Sequence, residues 1–313
     1  MPSRGALLCL ASAAAFGAMG IFGKLAYEEG VTVGTLLSVR FVLAAALFWL
    51  LLVCTGGVDG LRVLPRRDIL IAVALGAIGY SAQAGAYFAA LERLDVSLLS
   101  LVLYTFPAIV AVAAIVLGRE RGSRRTAGAL GLASAGLVLV LAGAAAGTLD
   151  PVGAALALAA AVVYSAYILT SEGVTGRIGP LALGTLVCSG AAVTLTLAAA
   201  AQGDLHPGDV SALGFVWLAG VAIVSTVGAI GLFFAGLRRV GPTAASILST
   251  IEPVVTVALA FVVFGESLGP VQLAGGALVL LAVLVVRSPP RGIAAPPTPA
   301  PTPAAPLAQP GQA

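Results

Sequence analysis

Glu252 is the group in this sequence hardest to assign to packing. It stands eight residues into an apolar run from Ala244 to Phe264, and a charge so deep in a bilayer costs about 2.5–3.5 kcal/mol on insertion scales. It must therefore face protein or water. It can bind an amine, exchange a proton or do both; the bland alternative is a protonated carboxyl bonded to a carbonyl freed near Pro253. Arg40 is the matching cation, within SVRFVLAAALFW (38–49). It can hold a carboxylate, pair with Glu252, or snorkel to the headgroups. Tyr80, Gln83 and Tyr87 recur at i, i+3 and i+7, one helical face, and so do Ser97, Ser100 and Tyr104. Such stripes either line a pathway or bond helix to helix. Tyr164 and Ser225 join them as candidate binding groups. Pro107 and Pro253 interrupt their segments and read as hinges or as static kinks.

These residues do not make a catalytic centre. Catalysis needs a nucleophile with a base, or a metal site. The single histidine, His206, sits between Asp204 and Asp209 as a solvated residue, and Cys9, Cys54 and Cys188 lie in apolar runs without ligand spacing. No GxxxxGK[ST] phosphate loop occurs. The reading is no enzyme, no metal and no cofactor.

The elements that must position these groups follow from composition. Only 9% of the 313 residues are charged and 60% are hydrophobic, whereas a soluble domain carries about a quarter charged residues. The chain cannot coat a water-facing surface; it reads as a multi-pass protein of the cell (inner) membrane, with the lipid bilayer as its surroundings. Ten apolar segments are long enough to cross: 5–27, 34–55, 69–91, 96–118, 126–146, 151–171, 181–201, 212–235, 244–264 and 268–287. The first has features of a signal peptide, with Arg4 ahead of Leu7–Leu10, but its apolar stretch runs on to Ala26, so it is read as a retained span. Residues 288–313 hold nine of the 18 prolines and read as a disordered tail. With the N-terminus in the cytoplasm, inner segments carry 13 of the 16 basic residues, outer segments carry Lys24 and Arg93, and Arg40 lies within a span. Positive charge concentrates on the cytoplasmic side, so both termini are placed inside. The net charge of +3 follows this topology and implies no nucleic-acid partner.

The chain also repeats itself. At an offset of 146, nine of 34 positions are identical between 87–120 and 233–266, including Arg93/Arg239, Ser100/Ser246, Pro107/Pro253 and Glu120/Glu266. Five spans per half is an odd number, so the second half enters from the opposite side. Inverted repeats are the architecture of many secondary transporters, with the site near the midplane. Helical rise places Glu252, Tyr164 and Ser225 roughly 11–12 Å above the inner face, and Arg40, Gln83 and Tyr104 roughly 9–12 Å below the outer one. Tyr80 falls near the midplane. Two polar layers straddle the centre, as a cavity between halves requires. Elsewhere, Lys24 and Glu28 read as a local surface pair, and Glu120 and Glu266 as caps of the turns that follow them.

SVRFVLAAALFW resembles the Arg-Phe signature in the second helix of drug/metabolite transporters. ALERLDVSLLSLVLYTFPAIVAVAAIVLGRE and GPTAASILSTIEPVVTVALAFVVFGESL resemble the segments that close each EamA repeat. The resemblance covers about residues 5–287 and implies an all-α membrane protein of ten transmembrane helices, as repeats 5–146 and 151–287. It implies an exporter of small metabolites, amino acids or drugs by alternating access, with proton coupling and a homodimer left open. Arg119 stands where a Gly usually precedes the Glu, and Leu186 occupies the repeat position of Arg40. A lipid or polyprenyl-phosphate flippase is the alternative, although one core cation is few for that task. The topology has a direct check. Impermeant thiol labelling of single-cysteine variants in intact cells is expected to modify residues 201–209 and to spare 59–67 and 119–125. Labelling of 201–209 from the cytoplasm instead overturns the orientation and the inverted repeat together.

Overall fold

The computed structural model describes residues 3–119, 123–145, 149–175 and 177–287. The expected tail (288–313), Glu120 and Arg121 lie outside the described residues. Within them the chain is helical throughout, with no strand. Nine helical spans are long and apolar enough to cross a bilayer: Arg4–Glu28, Val33–Cys54, Arg66–Leu91, Val96–Val116, Thr126–Ala144, Pro151–Ser171, Pro180–Gln202, Ala212–Val240 and Ile247–Phe264. They are called the first to ninth spans below. A shorter apolar helix, Pro270–Val285, follows them and occupies the place expected for a tenth. The helices stay helical because their backbone groups have no water to bond in hydrocarbon. Their outer faces are apolar too: Val63, Ile78, Val116 and Val262 are among the large side chains exposed on the bundle.

Among the described residues the first span is interrupted at Ala18, between Arg4–Gly17 and Met19–Glu28, and four other departures from the regular helix fall in pairs. The fourth span divides into Val96–Leu103 and Phe106–Val116, and the ninth runs across the break between two helices, Pro242–Ser249 and Glu252–Phe264. The two breaks match residue for residue at the offset of 146. The third span carries a π-helical segment, Leu75–Tyr80, and the eighth carries another, Gly220–Gly228, which contains the offset positions 221–226. Pro107 and Pro253 each occupy the first turn of the helix after a break. There a proline lacks only an N–H that has no intrahelical partner anyway. They are therefore helix starters here, not kinks within a continuous helix.

The two halves interleave. The second span packs on the seventh, and the fifth on the helix Pro270–Arg287. The first packs on the eighth, as the third packs on the sixth. Small residues allow the close crossings. A Cβ on Gly76 would run into the Val187 carbonyl, and one on Gly190 into that of Val73. Gly136 and Gly275 approach each other's carbonyls in the same way across the fifth span and the last helix.

Polar links between halves gather at the ends of the bundle. At one end Arg177 grips Asp68 with a two-pronged contact, Nε to Oδ2 at 2.9 Å and Nη2 to Oδ1 at 2.8 Å. At the other end Glu266 accepts from the backbone N–H groups of Val96 (3.0 Å) and Ser97 (2.9 Å), from Ser97 Oγ (2.8 Å) and from Lys24 Nζ (2.9 Å). It thus caps the start of the fourth span, in the other half, and not the turn that follows it. Lys24 pairs with Glu266, and more loosely with Asp95 at 3.7 Å, rather than with Glu28. The chain reaches this position because Gly265 takes a left-handed φ of 68°. In the first half the left-handed residue is Gly118, φ 69°, which lets Arg119 stand where a glycine was expected.

Burial pushes the Glu266 carboxyl up, but the bonds from Ser97, Lys24 and Val96 outweigh it and hold it below the usual carboxylate range. A depressed carboxyl contributes stability above its unfolded value, near 4.5, and loses that contribution as pH falls through the lower folded value. Glu266→Gln is therefore expected to lower the melting temperature of the detergent-purified protein at pH 7. The deficit relative to wild type should shrink on acidification below about pH 4. A deficit independent of pH would show that the carboxylate charge is not what holds this corner.

Candidate functional site

Arg40 is 2% exposed, so it does not snorkel. Its Nε donates to Thr226 Oγ1 at 3.1 Å and its Nη2 to Tyr80 Oη at 3.3 Å. These two acceptors are the same position of the two repeats, since 80 and 226 differ by the offset of 146. Each lies in the π-helical segment of its own half. A π turn adds a residue to the helical circuit and is common at functional sites; here it turns a hydroxyl from each half toward one guanidinium. The rings of Phe41, Phe88 and Tyr80 stand 4.7, 5.3 and 5.9 Å from its central carbon. No carboxylate lies within 4.0 Å of Arg40 among the described residues, so it does not form an ion pair with Glu252.

Glu252 opens the helix after the second break and so lies at the positive end of that helix's dipole. Tyr104, from the break in the first half, reaches across to it. Its hydroxyl is 3.0 Å from Glu252 Oε2 and 3.1 Å from the Ser249 carbonyl. A phenol has one proton to give. It donates to a charged Glu252, and a protonated Glu252 can donate to the phenol, releasing it for the Ser249 carbonyl.

A line of rings joins the two centres. Tyr80 stacks on Tyr167 (centroids 5.7 Å), Tyr167 on Tyr164 (6.3 Å), Tyr164 meets Phe106 edge-on (4.7 Å), and Phe106 meets Tyr104 (5.8 Å). Tyr87 lies within electrostatic reach of both Arg40 and Glu252. Gln83 is 9% exposed and makes no hydrogen bond among the described residues. Ser225, beside Thr226, is fully buried with its hydroxyl unpartnered, as is that of Ser38. The buried polar groups are thus gathered within the bundle, with some of their bonding capacity unused.

The expected residues divide cleanly. Arg40 and Tyr80 form one centre, Tyr104 and Glu252 the other, and Tyr164 belongs to the ring line between them. Ser97 is committed to Glu266 at the bundle end. Tyr167 and Thr226 were not singled out by the sequence. Tyr167 had a signal, three residues after Tyr164 on the same helix; Thr226 had only its offset from Tyr80.

A helical bundle that crosses a membrane many times and keeps a cation, a carboxyl group and several phenols inside has the build of a membrane transport protein. The chain belongs to the EamA-like transporter family, which matches residues 3–142 and again 151–288. It is 26% identical over 279 residues to the uncharacterized transporter YcbK of Bacillus subtilis (strain 168), covering 87% of this chain and 88% of that one. It is 30% identical over 199 residues to an uncharacterized transporter of Archaeoglobus fulgidus, 64% of this chain and 70% of the relative. A protein of known crystal structure shares the fold, with a TM-score of 0.64 over 91% of this chain and 98% of its own at 18% identity. The chain is a transporter and not an enzyme.

The Arg40 centre has a measurable consequence. Removing one acceptor from a buried, charged donor costs about 1.5–3 kcal/mol. Thr226→Val and Tyr80→Phe are each expected to destabilise the purified protein by that amount, read as the shift in its thermal unfolding. The double variant should show a non-additive effect, because the two hydroxyls share one guanidinium. Two silent variants would mean that Arg40 has other acceptors.

Proposed function

We propose that this transporter is a secondary carrier built from two inverted five-helix repeats, 5–146 and 151–287. It spans the bacterial inner membrane ten times with both termini in the cytoplasm. It exports small metabolites by alternating access, with Glu252 as the group that couples transport to protons. The observation that carries the reading is the matched pair of helix breaks with Glu252 at one and Tyr104 at the other. Discontinuous helices in corresponding positions of two halves mark substrate and ion sites in carriers. The last helix, whose first and last residues are Pro270 and Arg287, supplies the tenth crossing.

The coupling follows from the single phenol proton. With Glu252 charged, Tyr104 serves the carboxylate. With Glu252 protonated, or neutralised by a ligand amine, Tyr104 is released to the Ser249 carbonyl at the break itself. The protonation state is thus read by the backbone at the place where the two pieces of the ninth-span region meet. Pro107 and Pro253, which start the second pieces, fix where each break falls and serve as its hinge. Arg40 is enclosed by the bundle rather than turned to a lateral opening, which weighs against a lipid flippase.

Identifying the compounds that accumulate outside overexpressing cells gives the substrate for the decisive measurement. In proteoliposomes, wild type is expected to accumulate that compound when a pH difference is imposed. Glu252→Gln, similar in shape and permanently neutral, should lose the dependence on the gradient while still exchanging substrate. Wild-type accumulation by the variant would make Glu252 structural and place coupling elsewhere.

A further inference from the structure

We infer that Arg40 is the receptor for the anionic group of the transported molecule, and that this molecule is a flat organic monoanion such as an aryl carboxylate. The inference deepens the proposed function and rests on it, because it takes the bundle interior as the substrate site.

The argument turns on which edge of the guanidinium is used. Arg177 provides the comparison within the same molecule. Its Nε and Nη2 form the side fork, and both oxygens of Asp68 close it. In Arg40 the same fork is taken by two neutral hydroxyls, those of Thr226 and Tyr80. Among the described residues no carboxylate lies within 4.0 Å of this charge, although Arg177 is half-exposed and Arg40 is buried. A buried guanidinium normally has a carboxylate against it, since desolvation is far more costly for an unpaired ion. Its three ring contacts compensate in part. They supply no acceptor, and Nη1 has none among the described residues.

The end fork, Nη1 with Nη2, therefore remains for a planar two-oxygen anion, the group that a guanidinium binds in parallel. The two hydroxyls on the side fork fix its orientation. Phe41 and Phe88 flank the cation, and Tyr80 begins the line of rings that leads to Glu252. A flat apolar body matches these aromatic surroundings of the cation. Gln83, one turn from Tyr80 and 9% exposed, is available to meet a further polar atom on the ligand.

The test uses defined probes on the purified full-length protein in detergent. Benzoate, phenylacetate and 2-naphthoate are compared with their carboxamides and with benzylamine, at constant ionic strength, by the shift in melting temperature. The carboxylates are expected to stabilise wild type saturably. The amides should bind about tenfold more weakly, the difference made by one charge-assisted bond. Arg40→Lys keeps the charge but loses the fork, and should weaken the carboxylates by a similar factor while leaving the amides unchanged. Because replacing Arg40 can unfold the bundle, the acid-against-amide comparison in wild type stands alone as a test. Equal shifts for acid and amide, preference for benzylamine, or no shift with any probe overturns the inference. If these probes fail while Glu252→Gln still abolishes gradient-driven transport, the carrier reading survives and only the ligand class falls.

Discussion

The bilayer core offers no hydrogen-bond partners, so every charge placed there must be met by another part of the protein. That constraint organises this bundle around Arg40. A guanidinium buried to 2% exposure needs acceptors, and the chain supplies them by bending two helices, not by adding a carboxylate. Both bends are π-helical, both fall at the same repeat position, and each brings one hydroxyl. The helix geometry of the third and eighth spans is thus tied to one side chain of the second. The close crossing of Gly76 on Val187 then brings the seventh span against the same π segment.

The same economy governs the bundle ends, where water is near and charges are easier to carry. Glu266 gathers four donors from the first and fourth spans, and Arg177 with Asp68 ties the sixth–seventh connection to the third span. Each is a contact between segments distant in sequence. Lys24 chooses Glu266 over Glu28, although Glu28 is one turn away. The carboxylate at 266 is already oriented by two backbone N–H groups, whereas a local pair on an exposed helix face gains about 0.2–0.5 kcal/mol. A charge in a partly buried corner is worth more to an ion than a neighbour in solvent.

How far the sequence could be read follows from these cases. Hydropathy located the spans, because apolar runs of membrane length have few other uses. The two ionisable groups within apolar runs, Arg40 and Glu252, stood out for the same reason, and the stripe of Tyr80 and Gln83 followed from helical spacing. The Pro107/Pro253 match located both breaks, although a proline alone does not distinguish a kink from a helix start. The π segments left no mark in composition: LGAIGY and GVAIVSTVG are ordinary apolar sequence. Thr226 was invisible for that reason, since one hydroxyl among valines and alanines becomes a ligand of Arg40 only when the helix is wound differently. The partner of Lys24 was missed because pairing across 242 residues of chain has no local signature.

The two halves share a backbone plan but not a chemistry, and the mismatch is informative. Tyr80 answers to Thr226, Phe106 to Glu252, and Arg40 to Leu186. Leu186 is buried in an apolar cluster with Leu52, Ala72 and Ile178, so the position of the cation in one half is plain packing in the other. The carboxylate shows the reverse pattern, with Phe106 in its place in the first half. One half therefore carries the cation and the other the carboxyl group, with a line of rings running between them. Among the described residues the two centres are not joined to each other by an ion pair. The cross-links that do bridge elements, Glu266 at one end and Asp68 with Arg177 at the other, lie at the ends of the bundle, each with its carboxylate side chain only 7% exposed. The halves are thus tied to each other at the two ends by buried carboxylates, while a row of aromatic rings runs between the cation and the carboxyl group at the centre.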